Sequence, residues 1–150
     1  MKLVNEYNQH SAAHRYFVGF EYDAKLYLTD VRGHLPETML KEDRAAASKG
    51  GMLKIRVRLG AKLKAMLINS NRAVQLGTID LLNTDDKYNK GERFERLVTE
   101  RYTGKKWEKD SVPFWQAGDI ELNGEQIQIK FEGAELTNER TMARLQAAMA

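Results

Sequence analysis

Three polar residues in one short stretch, GDIELNGEQIQIK (residues 118–130), are of types that together can hold a cation and handle a phosphate: Asp119, Gln128 and Lys130. The stretch reads as two extended runs, DIEL and EQIQIKF, around Asn123-Gly124. That dipeptide suits a two-residue hairpin because both turn positions need positive φ. Side chains alternate along a strand. Ile127, Ile129 and Phe131 therefore share one face, and Gln126, Gln128 and Lys130 the other. In the partner run Ile120 and Leu122 oppose Asp119 and Glu121. If both apolar faces meet a core, Asp119, Gln128 and Lys130 come together on the opposite face. A carboxylate and an amide oxygen are hard donors of the kind that bind Mg2+ or Mn2+. Such an ion lowers the pKa of a bound water, and a neighbouring ammonium can orient that water or stabilise charge developing on a phosphate.

One carboxylate holds a divalent ion poorly, so the site wants a second acid. The run NKGERFERLVTERYTG (residues 89–104) predicts a helix with Asn89 as N-cap, Gly104 at the C′ position and Phe94, Leu97, Val98 and Tyr102 as its apolar stripe. Glu92 falls three residues after Asn89, where it completes a capping box. Glu95 lies at the border of the stripe and can lean over a sheet, so it is the expected second acid. KKWEKD is read as a further strand and VPFWQAG as a loop. A final helix capped by Thr137 turns Met142, Leu145 and Met149 inward. Glu132, Glu135 and Glu139 are assigned to the intervening turn and the start of that helix, where acids suit the dipole. Trp107 and Trp115 are read as packing residues rather than base-stacking platforms.

The N-terminal half is built differently. YFVGF and KLYLTDV read as strands joined by a polar turn, followed by a loop or short helix that ends at Gly50 and Gly51. MLKIRVRL then alternates cleanly, with Leu53, Ile55, Val57 and Leu59 on one face and Lys54, Arg56 and Arg58 on the other. This is the pattern of a half-buried strand with a basic outer face. GAKLKAMLI fits either strand or helix. The polar cluster NTDDKYNKG is the weakest joint. It separates a β-rich basic region, residues 1–83, from residues 84–150, with the two packed together.

Charge is distributed unevenly along these 150 residues. Arg44 to Ile79 carries eight basic side chains and no acid, between flanks of net −2 and −3, which together give the overall +3. Such a block is the footprint of a polyanion partner, and nucleic acid is the commonest. The candidate phosphate contacts are Lys49, Lys54, Arg56, Arg58, Lys62 and Lys64. The absence of cysteine excludes disulfides, zinc–thiolate sites and thiol nucleophiles. His10 and His14 have i, i+4 spacing but no neighbouring acid to make a zinc-protease motif, and with His34 they are read as surface residues. No apolar run is long enough to cross a bilayer, and MKLVNEYNQH lacks the apolar stretch of a signal peptide. The expectation is a cytoplasmic chain with no membrane partner.

Helix acid, strand Asp, hairpin and then (E/Q)-x-K, in that order, resembles the PD-(D/E)XK nucleases of the restriction-endonuclease-like fold. KGERFERLV resembles the first helix of archaeal Holliday-junction resolvases and Mrr-type enzymes, in which a glycine precedes the active-site acid by four residues, as Gly91 precedes Glu95. GDIEL matches the family's (P/G)D strand through Asp119, and QIK matches its last motif through Gln128 and Lys130. The resemblance spans residues 88–150, about two fifths of the chain; the first 80 residues carry no motif of a recognised family. It implies an α/β (α+β) chain with an αβββα nuclease core in the C-terminal half. It also implies that Glu95, Asp119, Gln128 and the Ile129 carbonyl surround Mg2+ or Mn2+, and that Lys130 assists the attacking water. Gly118 replaces the motif's proline. Gln128 replaces the commoner glutamate and removes one negative charge from the metal site, a substitution that Mrr-like members share.

The expected function is therefore metal-dependent hydrolysis of nucleic-acid phosphodiesters, with DNA favoured over RNA and a homodimer in keeping with small nucleases of this type. The alternatives are a non-catalytic nucleic-acid-binding protein on the same fold, and a module whose basic face meets an acidic protein partner.

Overall fold

Residues 15–32 fold as a hairpin: β1 (Arg15–Tyr22) pairs antiparallel with β2 (Lys25–Arg32), and Tyr16 to Phe20 are buried without a break. An uninterrupted buried run marks a strand covered on both faces, and β1 is the middle strand of a five-stranded sheet. The computed structural model describes residues 15–43, 54–83, 88–106 and 119–136. The predicted final helix, the KKWEKD strand beyond Lys106, both tryptophans, His10, His14 and Lys49 lie outside the described residues.

After β2 a 3-10 turn (Glu37–Met39) leads into β3 (Leu40–Asp43), which pairs with β4 (Lys54–Val57) in a second, two-stranded sheet. Helix α1 (Ala61–Asn69) follows, so GAKLKAMLI resolves as helix. Then come β5 (Ala73–Thr78), helix α2 (Lys90–Thr103), β6 (Asp119–Leu122) and β7 (Glu125–Phe131). The large sheet has the order β5-β2-β1-β7-β6, antiparallel throughout except for the parallel pair β1·β7. The chain is thus mixed α/β. The joint at residues 83–91 is not a boundary between sheets, because strands from either side of it are neighbours in the large one.

Two apolar clusters cover the two faces of this sheet. On one face Tyr16, Val18, Phe20 and Tyr27 pack against Leu40, Ile55, Val57, Leu67 and Leu136, contributed by β3, β4, α1 and the segment after β7. On the other, Phe17, Leu26, Leu28, Ile120, Ile127, Ile129 and Phe131 pack against Phe94 and Val98 of α2. The β4 alternation is as its sequence predicts: Ile55, Val57 and Leu59 are buried. The segment after β7 crosses to β4, where the Val57 N–H donates to the Ala134 carbonyl (2.9 Å) and the Leu136 N–H to the Ile55 carbonyl (2.8 Å).

One glycine sets the seat of α2. A Cβ built on Gly19 would fall within 2.5 Å of Phe94 Cε1 and Cε2. The Phe94 ring therefore fills the notch left by the missing side chain and meets the Phe131 ring at 5.1 Å. At the other end of β1, Arg15 donates Nε and Nη2 to the two oxygens of Asp30 (2.9 and 2.8 Å) and Nη1 to Glu125 (2.6 Å), which also accepts from Arg32 (3.2 Å). Hydrogen bonding to Asp30, against the cost of burial and helped by Glu125, holds the Arg15 pKa above its already high ordinary value. The Arg15 guanidinium stays charged at any working pH, and its bonds tie the N-terminal hairpin to the start of β7.

The β1–β2 turn has positive φ at both Asp23 (52°) and Ala24 (60°), a type I′ conformation that favours glycine at its second position. Alanine pays a steric penalty there of about 1–2 kcal/mol, which the greater flexibility of an unfolded glycine partly offsets. Ala24→Gly is expected to stabilise the chain by about 1 kcal/mol, read as a higher urea midpoint at unchanged m-value.

Candidate metal centre and nucleic-acid face

The β6–β7 hairpin turns on Asn123 (φ 53°) and Gly124 (φ 78°), the type I′ pair that its sequence predicts. The register sets Asp119 directly opposite Gln128 and Ile120 opposite Ile127. On the other side of β7, Tyr16 lies beside Gln128 and Val18 beside Lys130. Laterally paired residues share a face, so Tyr16, Gln128 and Asp119 form one row across three strands, with Lys130 in the next. Gln128 and Lys130 are half-buried. Asp119 is placed by its backbone alone; its side chain lies outside the described residues. Ile127 and Ile129 are fully buried on the opposite face, as the alternation requires.

The helix acids have separate roles. Asn89 caps α2: its Oδ1 accepts from the Glu92 N–H (2.9 Å), and its Nδ2 donates to Glu92 Oε1 (2.7 Å). Glu92 is thus the capping residue that its position predicts. Glu95 is half-buried and follows Phe94, the residue locked against Gly19. Its helix packs on the Ile127/Ile129 face of the hairpin, whereas Asp119, Gln128 and Lys130 belong to the other face. A shared ion would have to be reached around the free edge of β6, the outermost strand. The register makes Asp119 and Gln128 lateral neighbours on adjacent strands, and the helix of Glu95 packs on the same two strands from the opposite face. Among the described residues no three His, Cys, Asp or Glu side chains gather as a metal site, and the expected set contains only two such residues.

The basic block is divided by the structure. Arg58 and Lys62 are exposed. Arg56 is engaged internally, donating Nη1 to the Gly133 carbonyl (3.1 Å) and Nη2 to Glu135 (3.0 Å). Lys64 is held more closely: Nζ donates to Glu132 (2.9 and 3.2 Å) and to the Glu21 carbonyl (2.8 Å), 5.9 Å from the centre of the Phe20 ring. The Lys54 side chain lies outside the described residues. Glu132 also accepts from the Glu21 N–H (2.6 Å). Glu132 and Glu135 therefore clamp α1 and β4 to the end of β7, a role that sequence spacing does not show because their partners lie 68 and 79 residues away. The clamp has a geometric result. The layer carrying Arg58 and Lys62 lies on the same face of the sheet as Gln128 and Lys130.

No helix among the described residues is long and apolar enough to cross a membrane. Comparison with protein-family models, curated proteins and solved structures gave no match to this chain.

Proposed function

We propose that the chain is a metal-dependent nuclease that hydrolyses DNA phosphodiester bonds at Asp119, Gln128 and Lys130, with Glu95 as the further acid. The observation that carries this reading is the shared face. The row Asp119–Gln128, the half-buried Lys130 and the basic layer of β4 and α1 all belong to one side of the sheet. Mg2+ or Mn2+ would be held by Glu95, Asp119, Gln128 and the Ile129 carbonyl, and a bound ion supplies an acidified water and charge neutralisation. The chain's own contribution is positional. β6 and β7 set Asp119 and Gln128 directly opposite each other, Lys130 would present an ammonium where a phosphate gains charge, and Arg58 and Lys62 would draw in the polyanion. Incubating plasmid and branched DNA with Mg2+ or Mn2+ tests the reading. Wild type is expected to cut and Lys130→Ala to lose at least about 100-fold in rate; equal activity in the two proteins would sink the proposal.

The placement of α2 on the far face and the neutral Gln128 favour one second reading, a non-catalytic nucleic-acid-binding protein on this fold. It predicts steeply salt-dependent DNA binding with no cleavage under either metal.

A further inference from the structure

Two residues beyond Lys130, the C-terminal ends of β1 and β7 open into a cleft of about 470 Å³ lined by Glu21, Tyr22, Asp23, Ala61, Lys64, Lys90, Phe131 and Glu132. β1 and β7 are the one parallel pair in the sheet, and the carboxyl ends of parallel strands at a crossover are where open α/β sheets place ligands. The volume falls within the roughly 300–1,000 Å³ of small-molecule sites.

The charges around the cleft are of two kinds. Lys64 and Glu132 are paired to each other and to backbone, and form a fixed floor. Glu21, Asp23 and Lys90 also line the cleft, and their side chains make no hydrogen bond or ion pair among the described residues. The acids do not converge as a metal would require. Carboxylates and an ammonium that line one cleft and are unpaired among the described residues suit an organic ligand with both N–H donors and an anionic group. A nucleotide has that form. Among the bases, guanine presents two adjacent donors, N1–H and the exocyclic N2–H, which a single carboxylate accepts side by side.

We infer that this cleft binds one guanine nucleotide, with a Glu21 or Asp23 carboxylate accepting from the guanine edge and Lys90 contacting its phosphate. Resting on the nuclease reading, it is a base-specific subsite beside the cleaved bond. Glu132 stands two residues after Lys130, in the turn just past the end of β7, within about 7 Å by the rise of an extended chain and so within a nucleotide or two of the phosphate that Lys130 would meet.

The test is calorimetric titration of the full chain, without metal, with GMP and with IMP, AMP and CMP. GMP is expected to bind with Kd below about 1 mM. IMP, which lacks the exocyclic amine, should bind about tenfold more weakly, the value of one lost charge-assisted hydrogen bond. The double variant Glu21→Gln/Asp23→Asn should weaken GMP at least tenfold. Lys90→Ala should weaken GMP but leave guanosine unchanged. Asp23 and Lys90 are exposed, and Glu21→Gln keeps the shape of a half-buried strand side chain, so the variants are expected to keep the wild-type unfolding transition. Equal binding of the four nucleotides, no heat with GMP at about 5 mM, or a double variant that binds like wild type would each overturn the inference. Because no metal is present, the two readings fail separately. Cleavage without GMP binding removes the subsite, and GMP binding without cleavage removes the nuclease and leaves a guanine-nucleotide site.

Discussion

Gly19→Ala is expected to destabilise the chain by about 3 kcal/mol or more, lowering the melting temperature by roughly 6–12 °C. The added methyl would lie within 2.5 Å of three ring atoms of Phe94, and neither partner has room to yield. Phe94 is fully buried, between the sheet and its own helix. β1 is held on both sides by β2 and β7. Relief can come only by lifting α2, which would open its contacts with Ile127, Ile129 and Phe131. Removing ring volume should relieve the conflict. Phe94→Leu alone is expected to cost about 1–2 kcal/mol, and combining it with Gly19→Ala should cost clearly less than the sum of the two. A double-mutant cycle by urea unfolding reads that coupling directly. Additive losses, or a Gly19→Ala protein that melts with wild type, would show that α2 is seated differently.

Residues 84–150 produced alone are expected not to fold, although they carry every element of the nuclease resemblance. Without the N-terminal half, β7 loses its pairing with Tyr16 to Gly19 and, among the described strands, keeps only β6. A lone two-stranded hairpin is marginal in water, and so is an isolated helix the length of α2, 14 residues. Phe94 and Val98 would also lose Phe17, Leu26, Leu28 and Leu82 from their cluster. The amide proton spectrum of the fragment should show the narrow dispersion of an unfolded chain, and mixing with residues 1–83 should widen it. A well-dispersed spectrum from the fragment alone would refute this dependence.

What could be read from the sequence follows the range of the interactions involved. The Asn123-Gly124 turn, the Asn89 cap with Glu92 and the alternation of Ile55, Val57 and Leu59 are each decided within a few residues, and each is found as expected. The same two-residue turn leaves the strands no freedom to slip and fixes the register that sets Asp119 opposite Gln128. The parallel pairing of β1 with β7 is decided between segments far apart in the chain and leaves no periodicity in either. The ambiguity of GAKLKAMLI has a different cause. Its stripe is weakly segregated, and what settles the helix is Leu67 meeting the cluster above β1. Arg56 and Lys64 read as free cations because their carboxylate partners come from the turn after β7. The turn at Asp23–Ala24 carries a residue that its conformation disfavours, so composition pointed to a turn there without its type.

The Arg15–Glu125 bridge spans a sequence separation of 110. On a ribosome adding about 5–20 residues per second, the second neighbour of β1 is made roughly 6–22 s after β1 itself. Over that interval β1 can pair only with β2, and it presents an open edge bearing the buried-type run YFVGF. Among the described strands β1 thus waits longest for its cover, so the nascent chain is most exposed to aggregation before β7 emerges. Yield in cells should depend on whatever shields that edge in the meantime.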